Sequence, residues 1–141
     1  MMEQSSLSKI MAMLKIAYPY YFKELKEREE DSRAFISLYS QKLKDYEYPI
    51  VAKAINVIIT NNKFMPSLAE ILDECNRQKR IYYKTVIDEM YKSKYFATDQ
   101  EYGKALTWLF EEKPIIPSWL QQDIIKFKNQ KQIEMKEEKW N

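Results

Sequence analysis

One glycine in 141 residues is the tightest constraint on this chain. Tight hairpins draw on residues that accept a positive φ, glycine above all, and a sandwich or barrel needs such a turn at every reversal of its sheet. Gly103 lies inside a helical repeat, and the five prolines stand singly. A chain that is 45% apolar must still bury a core, so the remaining solution is helix packed on helix. The sequence predicts an all-α protein, with room for one ordinary domain and an extension or for two very small helical units.

Leu7, Ile10, Met11 and Leu14 recur at helical spacing, Ser5 or Ser6 offers a cap, and Pro19 ends the run, which defines a first helix. The stretch YPYYF at 18–22 turns the chain, and KELKEREED at 23–31 reads as a solvated connection or the exposed start of the next helix. A second helix, capped by Asp31 or Ser32, carries Phe35 or Ile36, Leu38, Tyr39 and Leu43. Pro49 fits the first turn of a third, lined by Val51, Ala54, Ile55 and Ile58 and stopped by Asn61 and Asn62. Pro66 pushes Met65 out of the helical region, and Ser67 with Glu70 forms the capping box that opens a fourth.

The stripe of that fourth helix, Leu68, Ile71, Leu72 and Cys75, meets NRQKR at 76–80, where five polar side chains in a row mark a domain boundary near residue 80. Tyr82 or Tyr83, Val86, Ile87, Met90 and Tyr91 restart the stripe, which simple continuation of the same helix explains. Thr98 and Glu101 form a second capping box ahead of Tyr102, Ala105, Leu106 and Leu109. Two prolines interrupt KPIIPS at 113–118, and Ser118 with Gln121 caps a last helix bearing Leu120, Ile124 and Phe127. The expected organisation is a compact N-terminal bundle of about four helices over 1–80, a C-terminal helical extension over 81–128 as the candidate partner-binding region, and a charged tail over 129–141 that frays.

Chemistry is scarce. The chain has no histidine, and its one cysteine, Cys75, falls on an apolar stripe, so neither a disulfide, a metal centre nor an imidazole base is expected. One glycine cannot build a phosphate-cradling loop. Carboxylates such as Glu27, Glu29, Glu30 and Asp31 sit in polar sequence where nothing desolvates them. No enzymatic activity and no cofactor are expected. With 23 basic and 21 acidic residues no net field steers the protein onto DNA or an anionic membrane, and no apolar run approaches the roughly 20 residues of a membrane span. A soluble, cytoplasmic protein is expected, with no membrane partner.

Two binding signals remain. Trp108, Leu109 and Phe110 are consecutive and cover most of a helix circumference, while Ile115, Ile116 and Trp119 add apolar area around a proline-broken connector. They read either as a second small core or as a partner surface, and both hold if one Trp packs inside and the other faces out. Basic and aromatic residues also interleave along 77–95, and Arg77, Lys79, Arg80, Tyr83, Lys84 and Lys92 make an alternative face for nucleic acid. Asp88 and Glu89 dilute it, so nucleic acid is not expected as the main direct partner.

The first 75 or so residues contain, in order, an apolar helix ending in Tyr18-Pro19, LKDYEY at 43–48, a helix with Ala52, Ala54 and Ile55, then Lys63-Phe64, Pro66-Ser67 and Ala69-Glu70-Ile71. This ordered set resembles the helicase loader and inhibitor family of phages and prophages of Gram-positive bacteria. Phe35 or Tyr39 approximately matches the aromatic in the middle of that family's second helix. The resemblance implies a small all-helical protein that binds the hexameric DnaB-type replicative helicase, restrains its ATPase and unwinding, and helps deliver it to a phage origin through an origin-binding protein. It also implies that the C-terminal half grips the helicase, although residues 80–141 carry no family motif. Within the motif Phe64 and Pro66 are expected to fix the angle between the third and fourth helices, with Phe64 packed under the turn.

Overall fold

The computed structural model describes the backbone of residues 2–96, 98–111 and 113–140, and the side chains of those up to Ile133. Among them the chain forms seven helices and no strand: α1 Gln4–Ala17, α2 Pro19–Glu27, α3 Glu29–Leu43, α4 Tyr48–Asn61, α5 Leu68–Lys92, α6 Asp99–Phe110 and α7 Ser118–Trp140. The all-α expectation holds. The fold divides between Lys79 and Arg80 into two compact units, and α5 passes through the division.

The first unit has five helical segments, because residues read as a turn and a solvated connection form a helix of their own, α2. Pro19 sits at its first position, where a missing N–H costs nothing. Leu25 is buried and Phe22 meets Phe35 edge to face at 5.4 Å, so a nine-residue helix with four charged residues still carries an apolar stripe. The next helix, α3, accordingly starts at Glu29, ahead of the expected cap at Asp31 or Ser32, with Glu29, Glu30 and Asp31 at the positive end of its dipole.

Helices α1 and α4 supply the centre of this unit. Leu7, Ile10 and Leu14 from the one and Ile50, Val51, Ala54, Ile55 and Ile58 from the other are buried. The backbone N–H of Met2 donates to the Lys44 carbonyl at 2.7 Å, and at the far end the Tyr18 phenol donates to the Asn62 carbonyl at 2.9 Å, so the two helices run side by side in the same direction. Ile71 and Cys75 close the core from the start of α5. Three of the five polar residues in 76–80 are buried too, Asn76, Gln78 and Lys79.

In the second unit α5 ends in a Schellman turn. The Tyr95 N–H donates to the Met90 carbonyl at 2.9 Å, the Lys94 N–H to the Tyr91 carbonyl at 3.0 Å, and Lys94 takes the left-handed conformation with φ 57°. Thr98 caps α6, its hydroxyl accepting from the Glu101 N–H at 3.3 Å. Ser118 is the first residue of α7 itself; the residue before it, Pro117, accepts from the Gln121 N–H at 3.0 Å. Val86, Ile87 and Met90 of α5 are buried, as are Ala105, Trp108 and Leu109 of α6 and Leu120, Ile124 and Phe127 of α7. The backbone stays helical to Trp140, through a stretch where the sequence predicts fraying; Asn141 lies outside the described residues. Lys131 pairs there with Glu89 of α5 at 3.0 Å.

Candidate functional site

In the second unit the corner between α6 and α7 separates the sequence-predicted contact residues into two sets. Trp108 and Leu109 are buried, and Trp108 packs edge to face on Tyr83 at 5.1 Å. Its indole N–H donates to the Ile115 carbonyl at 3.0 Å, which folds the proline-broken connector back onto the last turn of α6. Phe110 is left 63% exposed, Ile115 60% and Trp119 39%, with Ile116 half-buried. The consecutive run Trp108, Leu109, Phe110 therefore contributes two core residues and one surface residue. A small core and an exposed aromatic patch occupy the same corner.

The alternative face along 77–95 loses two of its six residues to the core. Lys79 is 1% exposed and Tyr83 is in the Trp108 packing, so neither faces solvent. Arg77 is paired with Glu74 at 2.9 Å and Lys84 with Asp88 at 3.1 Å, each within one turn of its own helix. Arg80 is half-buried and Lys92 exposed. Helical geometry puts Lys79 and Tyr83 on the buried side of α5, whereas Arg77, Arg80 and Lys84 recur at i, i+3 and i+7 along another side. The neighbouring Tyr91 stacks on Tyr102 at 4.2 Å, and the Tyr102 phenol donates to Asp88 at 3.0 Å. Burial first, and then that bond, push the Tyr102 phenol above its ordinary pKa.

In the first unit the family motif forms a corner. Tyr18 is buried, with burial raising its phenol above the ordinary value, and its bond to Asn62 ties the α1–α2 junction to the end of α4. Ser67 and Glu70 cap α5 reciprocally: the Glu70 N–H donates to the Ser67 hydroxyl at 3.2 Å, while the Ser67 N–H reaches the Glu70 carboxylate at 3.4 Å. Pro66 and Ile71 are buried. Phe64 is not packed under this turn; it is 78% exposed. The reason lies at the end of α4, where Asn62 closes the helix with its N–H and its side-chain amide both on the Ile58 carbonyl, at 2.8 and 3.0 Å. Asn62 leaves in extended conformation, and the inner position falls to Pro66.

Around the Tyr18–Asn62 bond, Ile16, Tyr20 and Phe64 are all exposed, each two residues from a bonded partner. Sequence reading placed Ile16 and Tyr20 in no site. The signal available was an apolar or aromatic residue on either side of each end of a motif whose centre is buried.

Among the described residues no group of three or more His, Cys, Asp or Glu is arranged to hold a metal ion, and no helix is long and apolar enough to cross a membrane. Burial, with Glu74 adding to it, pushes the Cys75 thiol up to about 12, the behaviour of a packing residue.

Fold and surfaces together define a small all-α protein of two helical units with exposed aromatic corners. Residues 2–72, half of the chain, match the family model that describes the N-terminal domain of the helicase loader and inhibitor of phage SPP1. The chain belongs to that loader family. Comparison with the curated proteins and with the solved structures gave no significant match.

Proposed function

We propose that this protein is a non-enzymatic replication accessory factor that binds the hexameric DnaB-type replicative helicase of a bacterial host, restrains its ATPase and unwinding, and helps load it at a phage or prophage origin together with an origin-binding protein. The observation that carries this reading is membership of the phage loader family over residues 2–72. The protein acts in the host cytoplasm and leaves ATP hydrolysis to the helicase. Inhibition then follows from binding one conformation of the hexamer better than the others, since a ligand shifts an equilibrium only by its differential affinity.

The grip is assigned to the α6–α7 corner. Phe110, Ile115 and Trp119 expose the aromatic and branched side chains that dominate protein interfaces, over a floor of Trp108, Leu109 and Ile116. The test is size-exclusion chromatography with light scattering of the protein mixed with the host helicase and ATP or a slow analogue. Co-elution is expected, and it should be lost in the Phe110→Ala/Trp119→Ala variant with its helical circular dichroism unchanged. Absence of a complex under every nucleotide condition, with salt-sensitive DNA binding in its place, overturns the reading.

A further inference from the structure

A groove of about 530 Å³ opens between α1, α2 and α3, wholly within the first unit. That volume lies in the range of about 300 to 1,000 Å³ usual for binding clefts. Phe22 and Phe35 form its aromatic wall, held edge to face, and Phe35 is fixed from behind by stacking on buried Tyr39 at 4.0 Å. Met11 lines the opposite side and Ile36 stands 43% exposed at the lip. These are rigid rings beside an adaptable thioether, the surface that accepts apolar anchors of a docked helix.

Charge identifies the occupant. Lys15, Lys23 and Lys26 line the same groove, all exposed, and none of them is in an ion pair among the described residues. No carboxylate lines it; Ser32 is the other polar side chain there. Two of the three carboxylates at the start of α3 are engaged elsewhere, Glu29 with Arg33 at 3.3 Å and Asp31 with Arg28 at 3.7 Å. Three unpaired ammonium groups around an apolar trough are complementary to one kind of segment: apolar on one face and carboxylate-rich along its edges.

We propose that the α1–α2–α3 groove binds an acidic amphipathic helix of a partner protein, its apolar face on Phe22, Phe35 and Ile36 and its carboxylates opposite Lys15, Lys23 and Lys26. This surface is separate from the α6–α7 corner, and the proposal does not depend on the helicase reading. It gives the first unit a ligand of its own, so the chain carries two binding surfaces.

The experiment is a titration of isotope-labelled full-length protein, followed by amide chemical shifts, with two synthetic helical peptides that share a Leu face and differ only in flanking Glu or Lys. The Glu peptide is expected to move the resonances of Phe22, Lys23, Lys26 and Ile36 and to bind about tenfold more tightly than the Lys peptide at low salt. That preference should shrink with added salt and reverse in Lys15→Glu/Lys23→Glu/Lys26→Glu, while Ile36→Ser should weaken both peptides alike by removing apolar area from the trough. Equal affinity for the two peptides, or shifts confined to other surfaces, overturns the proposal. So does a concentration-dependent shift of the groove resonances in the protein alone, which would place a second copy there, or displacement of the Glu peptide by a single-stranded oligonucleotide.

Discussion

The Tyr46 phenol donates to Asn76 Oδ1 at 2.6 Å, both side chains buried and thirty positions apart in sequence. Tyr46 belongs to the connector between α3 and α4, and Asn76 to the polar stretch of α5. The bond therefore fastens a loop to a helix inside the first unit. Tyr46→Phe removes the donor and leaves the buried amide oxygen without it, which should cost about 1 to 3 kcal/mol. Urea denaturation checks this; an unchanged midpoint would show that the amide oxygen finds water or another donor.

Glycine usage is inverted in the second unit. Lys94 occupies the left-handed position of the Schellman turn, where a side chain costs roughly 1 to 2 kcal/mol, whereas Gly103 lies inside α6 with nothing within 4 Å of where its Cβ would be. Gly103→Ala should stabilise by about 1 kcal/mol. Lys94→Gly should gain about 0.5 to 1 kcal/mol after the added flexibility of the unfolded chain is set against the relieved strain. Each variant should raise the thermal midpoint by a few degrees, and the pair should be close to additive.

The helix count depended on signals of different kinds. Strong stripes such as Ile50 to Ile58, and reciprocal caps such as Ser67 with Glu70, are written in local sequence because the periodicity and the cap hydrogen bonds are local. Helix α2 was hidden because its inward-facing stripe is only Phe22 and Leu25, recognisable once α3 provides Phe35 to pack against. The groove that α2 helps to form was hidden with it. Lys79 was legible as basic but not as buried, and the stripe left Tyr82 and Tyr83 as alternatives until the structure buried Tyr83, since burial depends on which side of a long helix receives a neighbour. Trp108 against Phe110 is the same case within three residues.

Phe64 illustrates how a motif position can mislead. A buried phenylalanine replaced by alanine costs about 3 to 5 kcal/mol, but the exposed Phe64 ring loses little that folding had gained. Phe64→Ala should stay within about 0.5 kcal/mol of the parent protein. Phe127→Ala, at a buried position on α7, should show the full core penalty in the same thermal melts. A large loss at Phe64 would return it to the scaffold.

Alkaline pH should weaken the fold in a defined window. Burial raises the Cys75 thiol from an ordinary 9.0 to about 12, and burial with Tyr21 raises the Tyr39 phenol from 10.0 to about 12. Both groups hold their proton longer in the folded state than in the unfolded chain. Their stabilising contribution is thus fully present below pH 9 and is lost as pH rises toward 12. Over that window the native state binds more protons, and each group lowers stability by up to about 1.4 kcal/mol per pH unit. Denaturant titrations from pH 8 to 11 should give a falling midpoint, with a shallower decline in Cys75→Ala once its own cavity cost at pH 8 is subtracted. Equal slopes in the two proteins would mean that the thiol ionises in place, reached by water. Trapping with a chromogenic disulfide at pH 8 gives the independent check: Cys75 should react in urea at the rate of a free thiol and far more slowly in the native protein.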